Sequence, residues 1–278
     1  MLTSTLDILA IAAHRDDVEQ TCGGTLLKMA TRGHRTGILD LTRGEMGTRG
    51  TAEDRAREAA DAAKILEVSW REALDIPDGR VENTWDNRLK VARVIRQTRP
   101  RVVILPYWEG RHPDHYTASK LGYEACFLAG LAKLAVSPQP SAVSGSGTTK
   151  SRALRDSKDP ENSSSHAGGA PAPHEALAPH RPFKIIYATL YHDVRPTFVV
   201  DISEQFEARF ESLMAYKSQF SDQEAGKDIF PARAEIRARI EAMARFYGMM
   251  AGVTYAEPFL QREVGLVDDV TAIPVKSI

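Results

Sequence analysis

Short apolar runs alternate with longer amphipathic segments along the first half of the chain. The runs are typical of buried strands, and they lie at 6–13, 36–42, 70–76 and 102–106. The segments that follow them have the spacing of helices, and they lie at about 18–33, 52–66, 85–98 and 117–134. This alternation predicts an α/β fold with three α/β/α layers, in which helices cover both faces of a mostly parallel sheet.

The start of the second helix is marked by a capping box. Thr51 and Asp54 are spaced so that each side chain accepts a hydrogen bond from the backbone N–H of the other. The helix that follows, predicted over 52–66, is rich in alanine and can lie close to a sheet. Its predicted buried face consists of small or apolar residues, namely Ala56, Ala59, Ala60, Ala63 and Leu66.

The second half of the chain opens with an interruption. Residues 136–179 are crowded with Ser, Pro, Gly and Thr, and such sequence cannot bury enough apolar area to offset the entropy lost on ordering. We therefore expect a disordered insertion within a single domain that spans 1–278. Beyond it, the pattern predicts strands at 182–190 and 196–202 and helices at 204–220 and 232–248. Asp201 and Glu204 have capping-box spacing at the first of these helices.

Composition and charge exclude several classes of protein. The 278 residues are 42% hydrophobic and 26% charged, which is typical of a globular chain and rules out a fibrous or wholly disordered one. A net charge of −1 provides no overall positive field for nucleic acid or an anionic membrane. The first apolar run is too short for a membrane helix and lacks the flanks of a signal peptide, so we expect a cytoplasmic protein.

Two clusters of histidine and aspartate follow the first and fourth predicted strands. His14, Asp16 and Asp17 come directly after the first strand, and the segment 111–115, Arg-His-Pro-Asp-His, comes after the fourth. In a doubly wound sheet of order 3-2-1-4 these strands are neighbours, and their carboxyl ends meet at the switch point where such folds bind ligands. Either cluster alone is also compatible with helix capping or a turn, but together they predict one site.

The side chains of these clusters suit a divalent metal. Imidazole and carboxylate together favour zinc or another first-row ion, and three protein ligands with an open fourth position are typical of catalytic zinc. The predicted ligands of one ion per subunit are His14, Asp17 and His115. Asp16 is then placed to act as a general base, while His112 faces the substrate and Asp114 holds its second ring nitrogen.

Four segments carry a family resemblance, namely AHRDDVEQTCGGTL, LTRGEMGTRGT, EDRAREAA and PYWEGRHPDH. Together they resemble the LmbE/PIG-L superfamily of zinc-dependent N-acetylglucosamine deacetylases. The later segments PHRP, FVVDIS, AYKSQF and YAEPF are similar to the branch that deacetylates N-acetylglucosaminyl malate in bacillithiol biosynthesis. The resemblance covers nearly all of the chain outside about 136–178.

The resemblance implies a Rossmann-like fold and a hydrolase that acts on a small amino-sugar conjugate. It also implies a homo-oligomer without nucleic-acid or membrane partners. The family's zinc ligands match His14, Asp17 and His115, its general base matches Asp16, and its charge-stabilising pair matches His112 and Asp114.

Three further positions enter through the same resemblance. Arg55 matches an arginine that lines the family's site, and Glu45 lies in the matching glycine-rich loop, so both are predicted to bind substrate. Arg15 stands where the family usually has proline or a small residue, which predicts an altered loop or an added positive charge at the rim of the site.

Two other interpretations of the sequence stay open. One keeps the chemistry and changes the substrate to an inositol glycoside, a chito-oligosaccharide or a thiol conjugate. The other is a non-catalytic sugar- or nucleotide-binding module, although Gly23 and Gly24 lack the spacing of a phosphate-binding loop. Tyr187, Tyr191 and His192 lie near where the later strands should approach the site, and they are either further hydrogen-bond donors or ordinary strand and loop residues.

Overall fold

The computed structural model of the chain describes residues 5–138, 176–190, 192–220 and 231–273. Most of the predicted insertion and Tyr191 therefore lie outside the described residues, and the disorder and domain boundaries proposed above stay predictions. Within the described residues, none of the helices is both long and apolar enough to cross a membrane.

The first half of the chain folds as the predicted alternation of strands and helices. Its strands are β1 (Ile8–Ala12), β2 (Thr36–Asp40), β3 (Trp70–Ala73) and β4 (Val102–Pro106). Its helices are α1 (Asp17–Thr21), α2 (Gly23–Thr31), α3 (Ala52–Ile65), α4 (Trp85–Thr98) and α5 (Pro113–Ala129). Gly33 has a φ of 87°, and this left-handed conformation just beyond α2 is typical of a glycine that ends a helix.

The second half contains three strands and three α-helices among its described residues. They are β5 (Lys184–Ala188), β6 (Phe198–Asp201), α6 (Phe206–Met214), α7 (Lys217–Phe220), α8 (Arg233–Ala251) and β7 (Ala256–Leu260). The single helix predicted over 204–220 was wrong, because the chain breaks between α6 and α7. Its predicted cap was also wrong, since Asp201 accepts hydrogen bonds from the N–H and hydroxyl of Ser203 instead.

The strands form one seven-stranded sheet of order β3-β2-β1-β4-β5-β7-β6. β1 lies parallel to both β2 and β4, and β4 is parallel to β5, which confirms the predicted mostly parallel α/β fold. β7, which the apolar pattern did not predict as a strand, enters antiparallel between β5 and β6. The carboxyl ends of β1 and β4 are therefore adjacent, as the sequence predicted.

Alternate residues of the central strands build two separate cores. Leu9 and Ile11 of β1 face the layer of α4 and α5, whereas Ala10 and Ala12 face Val18 and the rest of the α1 and α2 layer. This alternation follows from the two-residue period of a strand that is buried on both faces. The small alanines let α1 approach the sheet closely, and this brings the β1–α1 loop over the carboxyl edge.

The buried face of α3 differs from the predicted alanine stripe. Ala56 and Ala60 are exposed, and the residues that face inward are Arg55, Ala59, Ala62 and Leu66. Alanine is equally compatible with either face, so the pattern alone did not specify the rotation of the helix. The inward position of Arg55 is a consequence of its charge partner, which lies in the site described below.

The predicted capping box of α3 is confirmed, and it gives a testable stability effect. The Thr51 hydroxyl accepts the Asp54 N–H, and the Asp54 carboxylate accepts the Thr51 N–H, each at 3.0 Å. We expect Thr51→Ala to lower the free energy of unfolding by about 1 kcal/mol, measured by urea denaturation, because the cap is lost. Thr31→Ala, at an exposed threonine that ends α2, serves as the control and should change it by less than about 0.5 kcal/mol. Equal effects in the two variants would contradict the capping role.

The two ends of the predicted insertion meet at Arg96 on α4. This buried guanidinium donates to the carbonyl oxygens of Leu134 at 2.9 Å and Leu177 at 3.0 Å. The Leu177 N–H in turn donates to the carbonyl of Val136 at 2.9 Å. These hydrogen bonds therefore hold Leu134, Val136 and Leu177 together beside α4.

Candidate active site

The two histidine and aspartate clusters converge at the carboxyl ends of β1 and β4. Nδ1 of His14, in the β1–α1 loop, lies 3.2 Å from Nε2 of His115, in the first turn of α5. The Asp17 carboxylate reaches both rings, with Oδ2 at 3.5 Å from Nδ1 of His14 and Oδ1 at 3.3 Å from Nε2 of His115. Residues about a hundred positions apart are brought together by the parallel pairing of their strands.

Local hydrogen bonds shape each of the two loops. Oδ2 of Asp17 accepts the N–H of His14 at 2.9 Å, which curls the chain into α1. At the other loop, Nδ1 of His112 accepts the N–H of Asp114 at 3.2 Å, so His112 caps α5. The helix predicted to begin after Thr117 in fact begins at Pro113, because proline is favoured in the first turn and lacks the N–H that a cap would have to satisfy.

The arrangement fits a divalent metal. One donor atom from each of His14, Asp17 and His115 can be chosen so that the three lie within 4.8 Å of one another. Two imidazole nitrogens and a carboxylate are the donor set of catalytic rather than structural zinc sites. The structure thus brings the predicted ligand side chains into a group of suitable size and chemistry.

The surroundings of His14 are strongly acidic. Its Nε2 lies 3.1 Å from Oδ1 of Asp78 and 3.3 Å from Oδ2 of Asp114. Burial lowers the pKa of His14, but its hydrogen bonds with Asp114, Asp17 and Asp78 outweigh burial and raise that pKa to about 12. Burial raises the pKa of Asp17, while the charges and hydrogen bonds of His115 and His14 hold it well below its usual range. Such a concentration of carboxylates stabilises positive charge at this point.

Asp78 is a site residue that the sequence analysis missed. It follows β3 in a Pro-Asp-Gly turn, and its side chain is 8% exposed. The same turn presents the N–H of Gly79 to Oδ2 of Asp114 at 2.8 Å. The Pro-Asp-Gly sequence is typical of an ordinary turn, so it did not single out Asp78. The pattern that could have identified Asp78 is its position after β3, because the carboxyl ends of the parallel strands meet at the site.

The predicted pairing of Asp114 with the second ring nitrogen of His112 is not what the described contacts show. The Asp114 carboxylate accepts the N–H groups of Gly79 and Val81 and contacts His14, and only its backbone N–H meets His112. Because Nδ1 of His112 accepts that bond, the ring proton belongs on Nε2. Partial burial lowers the pKa of His112, and the charges of His14 and His115 lower it further, which favours a neutral ring that donates through Nε2.

Asp16 stands beside the ligand group with a different partner. Its Oδ1 is 2.9 Å from Nη2 of Arg55, and the two side chains are 14% and 6% exposed. Burial raises the pKa of Asp16 to about 6, although the charge of Arg55 lowers it. Arg55 was predicted to bind substrate, and in the structure its guanidinium orients the predicted base.

The glycine-rich loop that follows β2 accommodates this arginine. Gly44 has a φ of 71°, and a Cβ there would lie 2.6 Å from Nη1 of Arg55, so the loop requires glycine. Glu45, the other predicted substrate residue, is exposed, and its Oε1 accepts the Asp78 N–H at 2.9 Å. The loop therefore packs against Arg55, which holds the predicted base Asp16, and it also binds the backbone of Asp78.

Arg15 is buried and does not lie at the rim as a free charge. Its Nη1 donates to the carbonyl of Ala52 at 2.7 Å, in the first turn of α3. Arg49 likewise donates to a backbone oxygen, that of Gln219, at 3.0 Å. Both arginines thus join the site loops to neighbouring helices, whereas Arg111 is exposed beside His112.

A buried ionic cluster lies behind the β1–α1 loop. Arg71 of β3 donates to Asp40 of β2 through Nε at 2.9 Å and Nη2 at 3.0 Å, and to Glu19 of α1 through Nη1 at 2.7 Å. The Tyr216 hydroxyl donates to the same Glu19 carboxylate at 3.0 Å. The cluster fastens α1, which carries Asp17, to the adjacent strands.

The described aromatic candidates of the later strands do not contact the ligand group. Tyr187 is fully buried in the core beneath α5, and its ring packs edge-on against Trp108. Nε2 of His192 lies 3.6 Å from Oε2 of Glu109. Tyr191 lies outside the described residues.

Comparison with known proteins places this geometry in context. Residues 9–126, which include the predicted metal ligands and the predicted catalytic and substrate-binding residues, match the profile of a family described as PIG-L, GlcNAc-PI de-N-acetylase. Diacetylchitobiose deacetylase of Thermococcus kodakarensis is 30% identical over 261 residues, which cover 90% of this chain and 80% of that protein.

Solved structures have the same fold. A conserved protein of Thermus thermophilus superposes with a TM-score of 0.73 at 34% identity, over 95% of this chain and 98% of that one. N,N'-diacetylchitobiose deacetylase of Pyrococcus horikoshii, solved with an inhibitor, has a TM-score of 0.68 at 21% identity, over 91% and 82% of the two chains. The latter likeness shows the fold alone.

Proposed function

Since this chain belongs to the PIG-L family of de-N-acetylases, we propose that it hydrolyses the N-acetyl group of an N-acetylglucosaminyl conjugate. The observation that carries the proposal is the convergence of His14, Asp17 and His115 beside the largely buried carboxylate of Asp16, which has a separate partner in Arg55. This is the arrangement that metal-assisted amide hydrolysis needs, with a ligand group and an independent base within reach of one water.

Zinc, or another divalent first-row ion, is the cofactor that we propose. His14, Asp17 and His115 would hold it, and when bound it would supply the Lewis acidity that polarises an amide carbonyl and makes water more acidic. Asp114 and Asp78 contact Nε2 of His14, so they orient its ring and would increase its basicity as a ligand.

The chain's own residues then carry the proton transfers. Asp16 accepts a proton from the attacking water, and the adjacent guanidinium of Arg55 orients its carboxylate. Nε2–H of His112 donates to the oxygen on which negative charge develops, since its other nitrogen is occupied by the N-cap bond. The leaving amine takes a proton either from Asp16 or from His112, and acetate and the free amine are the products.

For the substrate, we propose N-acetylglucosaminyl malate first, from the resemblance of the later segments to the bacillithiol branch. Of the arginines near the site, Arg55, Arg15 and Arg49 bond protein oxygens, and the exposed Arg111 beside His112 is the candidate for the malate carboxylates. A chito-oligosaccharide is the second candidate, and the name of the 30% identical relative supports it.

Metal removal and a substrate panel test the proposal together. Dialysis against a chelator should abolish release of free amine from N-acetylglucosaminyl malate, and stoichiometric zinc should restore it, because the carbonyl is no longer polarised without a metal. The panel should include diacetylchitobiose and an N-acetylglucosaminyl inositol, with the highest kcat/KM expected for the malate glycoside. The chelator-treated enzyme supplied with magnesium in place of zinc is the control for a general effect of divalent cations.

Two outcomes would contradict the proposal. Undiminished turnover by protein that metal analysis shows to be free of metal would exclude the metal-assisted mechanism. Stoichiometric zinc binding without hydrolysis of any acetylated sugar would favour the non-catalytic binding module. A homo-oligomeric state, a cytoplasmic location and the lack of nucleic-acid partners stay predictions.

A further inference from the structure

The helix that the sequence predicted over about 18–33 is broken in the structure. It forms two helices, α1 and α2, separated by Cys22, whose φ of −142° and ψ of 16° are not helical. Asp17, a proposed metal ligand, is the first residue of α1. Since α1 has only five residues, it cannot hold its own shape, and contacts from the rest of the fold must place it.

A buried arginine from the second half of the chain binds the end of α1. Arg209, on α6, donates through Nε to the carbonyl oxygen of Glu19 at 3.1 Å and through Nη2 to the carbonyl oxygen of Gln20. The last carbonyl groups of a helix have no partner within the helix itself. Arg209 supplies that partner for two of them, and α6 packs against both α1 and α2.

A buried glutamate binds the start of α2 in the complementary way. Glu257, on β7, accepts the N–H of Gly24 through Oε1 at 2.9 Å and the N–H of Thr25 through Oε2 at 2.7 Å. Its Oε1 also lies 3.0 Å from Nε of Arg209, and the side chains of Glu257 and Arg209 are 1% and 8% exposed. The two residues therefore form a single buried bridge between α1 and α2, the Arg209–Glu257 bridge.

The bridge replaces backbone hydrogen bonds. In a continuous helix, the carbonyl of Gln20 would accept the N–H of Gly24, four residues further on. In the structure that carbonyl accepts the guanidinium of Arg209, and the N–H of Gly24 donates to Glu257. The ion pair thus occupies the place of the bonds that would join α1 and α2 into one straight helix. It keeps the two helices apart while satisfying the backbone groups at the break.

Gly24 leaves room for the carboxylate of this bridge. A Cβ on Gly24 would lie 3.0 Å from Oε1 of Glu257 and 3.0 Å from Cδ1 of Ile202, both in buried side chains. A Cβ on the preceding Gly23 would make only ordinary contacts, the nearest with Cδ1 of Leu66 at 3.4 Å. The second glycine of the pair is therefore required by the close approach of Glu257.

We propose that Arg209 and Glu257 are positioning residues for Asp17. By holding the break between α1 and α2, they fix the direction of α1 and so keep the Asp17 carboxylate beside the rings of His14 and His115. A ligand group that is already assembled loses less free energy to reorganisation when it binds an ion. This inference rests on the proposed function, since it takes Asp17 as a metal ligand.

The zinc affinity of the metal-free protein tests the inference without any substrate. Glu257→Gln removes the charge and turns an N–H group of the amide toward donors that the carboxylate accepted. We expect its zinc dissociation constant, measured by competition with a chromophoric chelator, to rise roughly tenfold or more, as when the supporting partners of metal ligands are lost.

A destabilising variant elsewhere is the control for a general loss of stability. Arg96→Met removes a buried arginine that donates to the carbonyls of Ala129 and Leu134, in the helical layer on the opposite face of the sheet from α1. Urea denaturation should show that this variant is also less stable than the wild type. Its zinc dissociation constant should nevertheless change less than twofold.

The adjacent glycines give a second pair of variants, which decides the inference if Glu257→Gln does not fold. Gly24→Ala crowds the carboxylate of Glu257 and should raise the zinc dissociation constant threefold or more. Gly23→Ala should change it less than twofold, although both variants gain the same helix propensity.

The outcomes separate this inference from the proposed function. A zinc dissociation constant within twofold of wild type in folded Glu257→Gln protein would overturn the positioning role and leave metal-assisted hydrolysis intact. An equal loss of affinity in Arg96→Met would also overturn it, because the bridge would then act only through overall stability. Failure of the wild-type protein to bind zinc would instead overturn the proposed metal site, and the positioning role with it.

Discussion

Asp16→Asn is expected to lower kcat roughly 100- to 10,000-fold, because an amide cannot accept the proton of the attacking water. Asn retains the shape of Asp and can still accept a hydrogen bond from Arg55, so KM should change little. The measurement is steady-state release of free amine, together with metal analysis of the purified variant. We expect the zinc content to stay at the wild-type level, since Asp16 is not in the proposed ligand group.

Two comparison variants make this result specific. His115→Ala removes a proposed ligand and should lose both the metal and the activity, whereas Asp16→Asn should lose the activity alone. Asp61→Asn, the same substitution at an exposed aspartate on α3, should leave both unchanged. Turnover near the wild-type rate in folded Asp16→Asn protein would contradict the assignment of Asp16 as the general base.

Arg71→Met should have the largest effect on stability and lower the free energy of unfolding by about 3–5 kcal/mol. The variant leaves the carboxylates of Asp40 and Glu19, which are 1% and 0% exposed, without their shared cation. Even with Arg71 present, burial raises the pKa of Asp40, so its ionised form depends on that partner. Urea denaturation followed by circular dichroism measures the loss.

The control is Arg80→Met, at a side chain that is 76% exposed and lies 3.7 Å from Glu82. Exposed pairs of this kind contribute about 0–1 kcal/mol, so the control should change stability by no more than that. If Arg71→Met lowered the free energy of unfolding no more than Arg80→Met does, the proposal that the buried cluster stabilises the position of α1 would be wrong.

Much of this fold was predictable because its signals are local. α4 and β4 have the predicted bounds, 85–98 and 102–106, since apolar period and flanking residues specify each element without reference to the rest of the chain. The order of the first four strands was also predictable, because few topologies connect alternating strands and helices with short right-handed crossovers.

The errors share a physical origin in residues whose local preference is weak or misleading. Alanine does not distinguish the faces of α3, and Arg55 resembles a surface charge until Asp16 is seen beside it. Pro113 suggested a turn but starts α5. The antiparallel strand β7 is held by pairing with β5 and β6, which are distant in sequence.

The amino-acid sequence by itself determined the donor chemistry of the site, the two loops that carry it and their position at the carboxyl edge of the sheet. Only the tertiary structure decided which carboxylate serves which partner: Asp78 and Asp114 contact His14, and Arg55 holds Asp16. Residue type determines which donor atoms a loop contains, and strand order determines where along the edge of the sheet that loop lies. The pairing of side chains from four different loops and helices depends on packing distances that no local pattern encodes.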